Sequence, residues 1–174
     1  MSTKEVSGIK MLAVLSGVCV ISAAMLGFVY SNTKDQIFQN RMKVIQAAVY
    51  KVMPGIDDYE KINDSPVIYK GTSGGSAIGY AVLTEGMGFQ GHILLMVGVD
   101  LQIKAITGVD VLESVETPGL GDKIKGEGFL GQFNPMKIGA SDNVSIDTIT
   151  GATISSVAVE KIINRALEHV KRIS

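Results

Sequence analysis

Residues 11–30 form an unbroken apolar run, MLAVLSGVCVISAAMLGFVY, in which no charged side chain occurs. A helix rises about 1.5 Å per residue, so about 20 residues span the roughly 30 Å hydrocarbon core of a bilayer. Lys10 precedes the run, and Tyr30 ends it where an interfacial aromatic side chain belongs. A cleaved signal peptide would usually have a shorter apolar core and an A-x-A-like site, which SNTKDQIF after Tyr30 does not offer. The sequence therefore predicts a short tail over 1–10 and a retained transmembrane helix over 11–30.

The charges that flank this run do not fix its orientation. Lys4 and Lys10 lie before the run, and Lys34, Arg41 and Lys43 lie after it. The positive-inside count therefore favours neither side, and a large following domain can be exported regardless of charge. On charge alone, the side of the membrane that holds the rest of the chain stays open.

The composition excludes several functional classes. The 174 residues carry a net charge of −1, so the basic excess of a nucleic-acid-binding protein is missing. One cysteine, Cys19, allows neither an intrachain disulfide nor a cysteine-ligated zinc or iron–sulfur centre. The two histidines, His92 and His169, are outside metal-ligand spacing. We expect no metal site and no nucleic-acid partner.

Beyond the apolar run, the pattern predicts a helix and then an α+β domain. Apolar residues recur at helical spacing over 31–53, and Pro54 and Gly55 end that helix. We interpret 31–65 as a helical stalk and linker, and 66–174 as the soluble domain. Short runs rich in Val, Ile, Leu and Tyr predict an antiparallel sheet of neighbouring strands, VIYK, AIGYAVLTEG, HILLMVGVD and IKAITGVDVLES.

Helices flank this sheet in the prediction. A short helix is expected after Lys123 or Gly128. A longer amphipathic helix is expected over 154–172, because Ile154 begins a stripe of apolar residues at steps of four. Neither a Walker motif nor a dinucleotide-binding glycine motif opens a helix in this chain.

Two loops have an unusual composition, and the first is ESVETPGLGDKI, residues 113–124. Pro118-Gly119 favours a type II turn, in which proline fixes φ at the second position and glycine supplies a positive φ at the third. Gly121 offers a second point of close backbone approach. The segment is then either a ledge beside a flat ligand, flanked by Glu116 and Lys123, or an ordinary turn that ends a strand.

The second loop is DTITGATISS, residues 147–156, directly before the last helix. A helix start exposes unpaired N–H groups and the positive end of the helix dipole, so it binds phosphate readily. The alternative is a simple cap by Thr150 or Thr153, assisted by Ser155 and Ser156. Residue types alone do not decide between the two. Upstream, the glycine-rich segment EGMGFQGHI offers a bend that covers a ligand, or only a turn.

Together the two loops resemble those of FMN-binding domains. Asp147 to Thr153 matches the flavinylation signature D-x-x-T-G-A-T in full, and ETPGLGDKI begins 31 residues earlier, at Glu116. With one N-terminal span, the chain resembles the G subunits of the Rnf complex. The C subunits of the sodium-pumping NADH:quinone oxidoreductase are similar and usually longer.

The resemblance implies an FMN whose phosphate is esterified to Thr153 by a separate flavin transferase that uses FAD and magnesium. It further implies phosphate-side and ring-side positions, which are Asp147, Thr150, Gly151, Ala152 and Ser156 on one side and Glu116, Thr117, Pro118, Gly119, Leu120 and Gly121 on the other. Lys123 is a further expected contact that would stabilise the reduced flavin. Family members often carry a His where Ser114 stands, so a role for that His does not carry over.

The function that this resemblance implies is electron relay by a membrane-anchored flavoprotein subunit. Its partners would be the other subunits of an ion-translocating ferredoxin:NAD oxidoreductase, with the soluble domain on the outer side of the cell membrane. The chain would hold no complete catalytic site, and with no acidic residue in its span it would not be the ion channel. The alternatives are a C-type subunit, a stand-alone extracytoplasmic flavoprotein, and an anchored binding domain without redox function.

Overall fold

The first helix, α1, extends over Gly8–Val52 in the computed structural model, which describes residues 8–138 and 143–173. Most of the predicted tail over 1–10 lies outside these residues. The chain divides into two units, one ending at Lys43 and one beginning at Val44. In the first unit α1 is exposed, and it contains an apolar stretch long enough to cross a membrane. The predicted helices over 11–30 and 31–53 are thus one continuous helix.

The second unit is built on an antiparallel sheet, which confirms the predicted α+β class. Its six strands lie side by side in chain order, so each hydrogen-bonds to its neighbours in sequence. Such a meander needs only short connections between strands. The strands are β1 (Asp58–Asp64), β2 (Val67–Ser73), β3 (Ser76–Met87), β4 (His92–Asp100), β5 (Ala105–Ser114) and β6 (Met136–Lys137).

Two short elements and a long helix complete this unit. A 3-10 turn over Gly121–Lys125 leads into the one-turn helix α2, Glu127–Leu130. The last helix, α3, extends over Thr153–Lys171 and packs on β3 and β4. Its apolar stripe, including Ile162, Ile163 and Leu167, is buried with residues of β4 and β5. The long predicted helix is therefore confirmed to within a residue at each end.

The opposite face of the sheet is covered by the last turns of α1. Ile45, Ala48, Val49 and Val52 are buried there together with residues of β2, β3 and β4. Helices on both faces explain why β4 is buried along almost its whole length, since a strand covered on both sides reads as a continuous apolar run.

Two paired glycines let the end of α1 approach the sheet closely. Gly98 and Gly108 face each other across β4 and β5, and a Cβ on Gly98 would collide with the Val52 carbonyl oxygen. The Thr107 hydroxyl donates to that same oxygen over 2.5 Å. Lys51 pairs with Asp110 at 2.6 Å. The second unit therefore uses the end of α1 as part of its core.

The predicted boundary between linker and domain at Pro66 is too late. The compact unit begins at Val44, and β1 lies wholly inside the predicted linker. The strand was overlooked because DYEKIND is dominated by charged and polar residues, which is typical of an exposed edge. The sequence does not predict the two-residue β6 either. Of the four predicted runs, β2, β3 and β4 contain three in full, and β5 contains the fourth except for its first two residues, Ile103 and Lys104.

Candidate cofactor pocket

Three loops of the second unit meet around a pocket of about 340 Å³ beside the start of α3. One is the turn between β3 and β4, one follows β5, and one precedes α3. The two loops singled out in the sequence thus lie side by side, although 31 residues separate Glu116 from Asp147. The lining residues are Phe89, Glu116, Thr117, Leu120, Gly121, Gly151, Ala152, Thr153, Ile154 and Ser155.

The loop after β5 forms the predicted tight turn. The Leu120 N–H donates to the Thr117 carbonyl oxygen over 3.2 Å, and Gly119 has a φ of +77°. A positive φ at the third position, after Pro118, is the geometry of a type II turn. The turn brings Leu120 and Gly121 to the pocket, while Pro118 and Gly119 are exposed.

The loop before α3 contains a second turn of the same kind. The Ala152 N–H donates to the Ile149 carbonyl oxygen over 2.9 Å, and Gly151 has a φ of +83°. The chain then enters α3 directly at Thr153, whose side chain is exposed at the pocket. Thr150 lies in this turn but does not line the pocket.

No side chain in the described residues caps α3, and Ala152 occupies the N-cap position. Of the two alternatives that the sequence left open, the side-chain cap by Thr150 or Thr153 is therefore not the one observed. The Ser156 hydroxyl instead bonds to the backbone of the loop before α3. It accepts from the Ile149 N–H at 3.1 Å and donates to the Ala152 carbonyl at 3.0 Å. The start of α3 consequently keeps its positive dipole end available at the pocket.

Glu116 is buried in the pocket wall, with 6% of its surface exposed. It accepts hydrogen bonds from the Ser155 hydroxyl at 2.5 Å and from the Gln90 N–H at 3.1 Å. Burial is the largest single influence and raises the pKa of Glu116, but the bonds from Ser155 and from the Gln90, Phe89 and Gly91 amides together outweigh it. The net result is a pKa below the ordinary value of 4.5, so Glu116 is ionised at neutral pH.

The lowered pKa of Glu116 predicts a contribution to stability that depends on pH. A carboxylate whose pKa is lower in the folded state contributes fully above its unfolded pKa, about 4.5, and loses the contribution as pH falls through the folded value. We expect the full chain in detergent to lose stability more steeply below pH 4.5 than Glu116→Gln does. Thermal unfolding measured from pH 7 to pH 3 would show this, and parallel curves would contradict it.

Several predicted site residues lie outside this pocket. Lys123 and Asp147 line a neighbouring pocket of about 400 Å³ on the other side of the loop before α3. Gln132 holds the Asp147 backbone there, because its side chain accepts from the Asp147 N–H at 2.9 Å and donates to its carbonyl at 3.4 Å. The Ser114 hydroxyl accepts from the Glu116 N–H over 3.3 Å.

Sequence reasoning missed two apolar residues of the pocket. Ile154 was assigned to the buried stripe of the last helix, but it is 60% exposed at the pocket. Phe89, 64% exposed, was noted only as part of a glycine-rich bend. The only signal for Phe89 is an aromatic residue between Gly88 and Gly91, and such glycine-rich segments are common in turns of every kind.

The comparisons with known proteins agree with this geometry. A model of the FMN-binding domain family matches residues 88–168, which contain all three loops. The G subunit of the ion-translocating oxidoreductase complex of Methanosarcina acetivorans is 31% identical over 97% of this chain and 96% of that protein. The chain belongs to the family of Rnf complex G subunits.

Other relatives support this family membership and the fold. The G subunit of the proton-translocating ferredoxin:NAD(+) oxidoreductase complex of Clostridium ljungdahlii is 31% identical over 87% of this chain and 85% of that protein. The crystal structure of NqrC from Shewanella oneidensis matches with a TM-score of 0.51 over 69% of this chain and 73% of that one. At 18% identity this last likeness shows the fold alone.

Proposed function

We propose that this G subunit carries an FMN esterified through its phosphate to the Thr153 hydroxyl, and that it relays electrons within a membrane-bound ion-translocating ferredoxin:NAD oxidoreductase. The observation that carries the proposal is the single pocket in which both signature loops meet beside Thr153. Relatives named as G subunits of such complexes support the assignment of the relay.

The residues present fit the phosphate end of FMN. Thr153 is exposed and begins a helix that no described side chain caps, so the N–H groups and dipole of the first turn favour an anionic group there. The two residues before Thr153 carry little side-chain bulk, since Gly151 has no side chain and Ala152 has only a methyl group. An attached phosphate would therefore meet little steric hindrance.

The residues also fit a flat aromatic ring. Phe89, Leu120 and Ile154 present apolar surface from three different segments, and each is more than half exposed. A volume of about 340 Å³ lies within the range of small-molecule sites, which are mostly apolar with a few polar groups. An aromatic ring placed among these side chains would remove their surface from water.

When bound, FMN supplies the electron-transfer chemistry itself, and the protein provides position and environment. Glu116 is the only titratable side chain among the described lining residues, and its oxygens are engaged by Ser155 and Gln90. The wall therefore offers no free acid or base to a substrate. This arrangement suits a relay subunit that depends on other subunits for substrate sites.

Fluorescence of the denatured protein tests the proposal. The full chain, expressed with a flavin transferase, is expected to give a flavin-fluorescent band after denaturing electrophoresis, because only covalent flavin survives unfolding. A dark band despite an active transferase would contradict the proposed attachment. Co-purification with other membrane subunits tests the relay, and a chain that never associates with them would instead be a stand-alone flavoprotein.

We further propose that residues 11–30 anchor the subunit in the cell membrane with the soluble domain outside the cytoplasm. Every large apolar residue in that segment is more than half exposed, which in a membrane would face lipid. The segment holds no acidic residue, so ion passage belongs to other subunits. The family resemblance supports the outer side.

Labelling of introduced cysteines decides the orientation. In a Cys19→Ala background, Glu127→Cys places a thiol at an exposed position of α2, and Thr3→Cys places one before the span. In intact cells, a membrane-impermeant maleimide is expected to label Glu127→Cys and not Thr3→Cys. The reverse pattern would overturn the proposed side, and labelling of both only after lysis would contradict a single span.

A further inference from the structure

We propose that Glu116 is a positioning residue whose buried carboxylate ties the β3–β4 turn to the first turn of α3 and thereby holds Thr153 in place for flavin attachment. This inference deepens the proposed function and rests on it. The family resemblance places Glu116 beside the flavin ring, whereas its carboxylate oxygens are bonded to the protein.

The two carboxylate oxygens bridge segments that are far apart in the chain. One accepts from the Gln90 N–H, 26 residues earlier, and the other accepts from the Ser155 hydroxyl, 39 residues later. With the loop after β5 that carries Glu116, one side chain joins all three segments of the pocket. Hydrogen bonds to an ionised acceptor are about twice as strong as neutral ones, so this bridge is stronger than an ordinary loop contact.

Two glycines make room for the bridge. A Cβ on Gly88 would collide with one carboxylate oxygen of Glu116, and a Cβ on Gly121 would collide with the other. Neither glycine has a positive φ, so the backbone conformation alone does not require glycine at either position. Their shared feature is the space that they leave for this carboxylate.

The bridge acts on Thr153 through its neighbours. Ser155 follows Thr153 by two residues within the same helical turn, so a fixed Ser155 fixes the direction in which the Thr153 hydroxyl is presented. On the other side, Gln90 follows Phe89, which also lines the pocket. Glu116 thereby fixes the position of the segment that carries Phe89 relative to the helix start that carries Thr153.

Glu116→Gln is the sharpest test because it keeps the size of the side chain. An amide is neutral and has one acceptor oxygen, so it cannot accept the two charge-assisted bonds that the carboxylate accepts from Gln90 and Ser155. Ser155→Ala removes the bond from the other side. Glu127→Gln is the matched control, since it makes the same change at an exposed carboxylate on α2.

The first measurement needs no flavin. In hydrogen exchange of the full chain in detergent, purified without the transferase, we expect the segment 87–91 to exchange about tenfold faster in both variants. In Glu116→Gln the Gln90 amide donates to a neutral acceptor in place of an ionised one, and in Ser155→Ala the carboxylate that accepts from Gln90 loses the bond that fixes its position. The effect in the double variant should be smaller than the sum of the two single effects, since both changes weaken the same bridge. Unchanged exchange in both single variants would overturn the bridge.

The second measurement is the kinetics of flavin attachment by a purified transferase with FAD. We expect kcat to fall about tenfold or more in both variants with little change in KM for the chain, because Thr153 is misplaced while Asp147 stays exposed for recognition. Faster exchange with an unchanged kcat would overturn the positioning role alone. A wild-type chain that accepts no flavin would contradict the proposed function, even where the exchange result confirms the bridge.

Discussion

The Thr153→Val variant is expected to lose the flavin fluorescence of the denatured band completely. Valine matches threonine in shape but has no hydroxyl, so no phosphoester can form. The Thr153 side chain is exposed, so the change removes no buried contact and leaves stability within about 0.5 kcal/mol. The loss would therefore report the chemistry of one oxygen atom and not the unfolding of the domain.

Thr148→Val is the matched control for this prediction. Thr148 is also an exposed threonine of the signature loop, but it lines the neighbouring pocket and not the one beside α3. We expect its fluorescent band to keep the wild-type intensity. A fluorescent Thr153→Val band, or equal loss in both variants, would contradict attachment at Thr153. Mass spectrometry of the peptide that contains the flavin would locate the bond directly.

Among the variants proposed here, Gly98→Ala is expected to lower the free energy of unfolding most. Its new Cβ would meet the Val52 carbonyl oxygen and the Thr107 hydroxyl, and a backbone carbonyl at the buried end of α1 has little room to move. Overpacking of this kind costs about 3 kcal/mol at the upper end of the usual range. That loss corresponds to a decrease in Tm of roughly 6–12 °C for a protein of this size.

Near-UV circular dichroism of the full chain in detergent measures this decrease through the tyrosines. Tyr59 and Tyr69 stack edge to face in the second unit, so their signal reports its tertiary packing. Gly128→Ala is the control, because a Cβ there meets no atom within 4 Å and needs no unusual φ. Equal Tm values for the two variants would contradict the role of α1 in the core of the second unit.

The central part of the sheet can be predicted from the sequence, because the residues of those strands themselves favour β-structure. The strands β2 to β5 are rich in β-branched and aromatic residues and are separated by glycine or aspartate turns, so local preference and burial agree. The edge strand β1 has neither property, since it packs on one neighbour and is mostly exposed. Its pairing with β2 depends on tertiary contacts, and the residues of β1 show no pattern from which a strand could be predicted.

The same reasoning explains the misplaced boundary near Pro66. A helix over 31–53 reads as a stalk, because its apolar residues do not show whether they face lipid, another protein or the sheet. The deciding residues are Gly98 and Gly108, about 50 residues away, which leave space for the end of α1. A single-sequence pattern contains no link between two such distant positions.

By itself, the sequence determined the apolar span, the α+β class, the two glycine turns and the threonine beside the last helix. Each depends on a few neighbouring residues whose chemistry is restrictive, such as 20 uncharged positions or a Pro-Gly pair. Only the tertiary structure decided that Glu116 faces Ser155 and Gln90, that no side chain of the described residues caps α3, and that Lys123 and Asp147 lie outside the pocket beside α3. These facts depend on distances between segments, which are set by packing of the whole core and not by local preference.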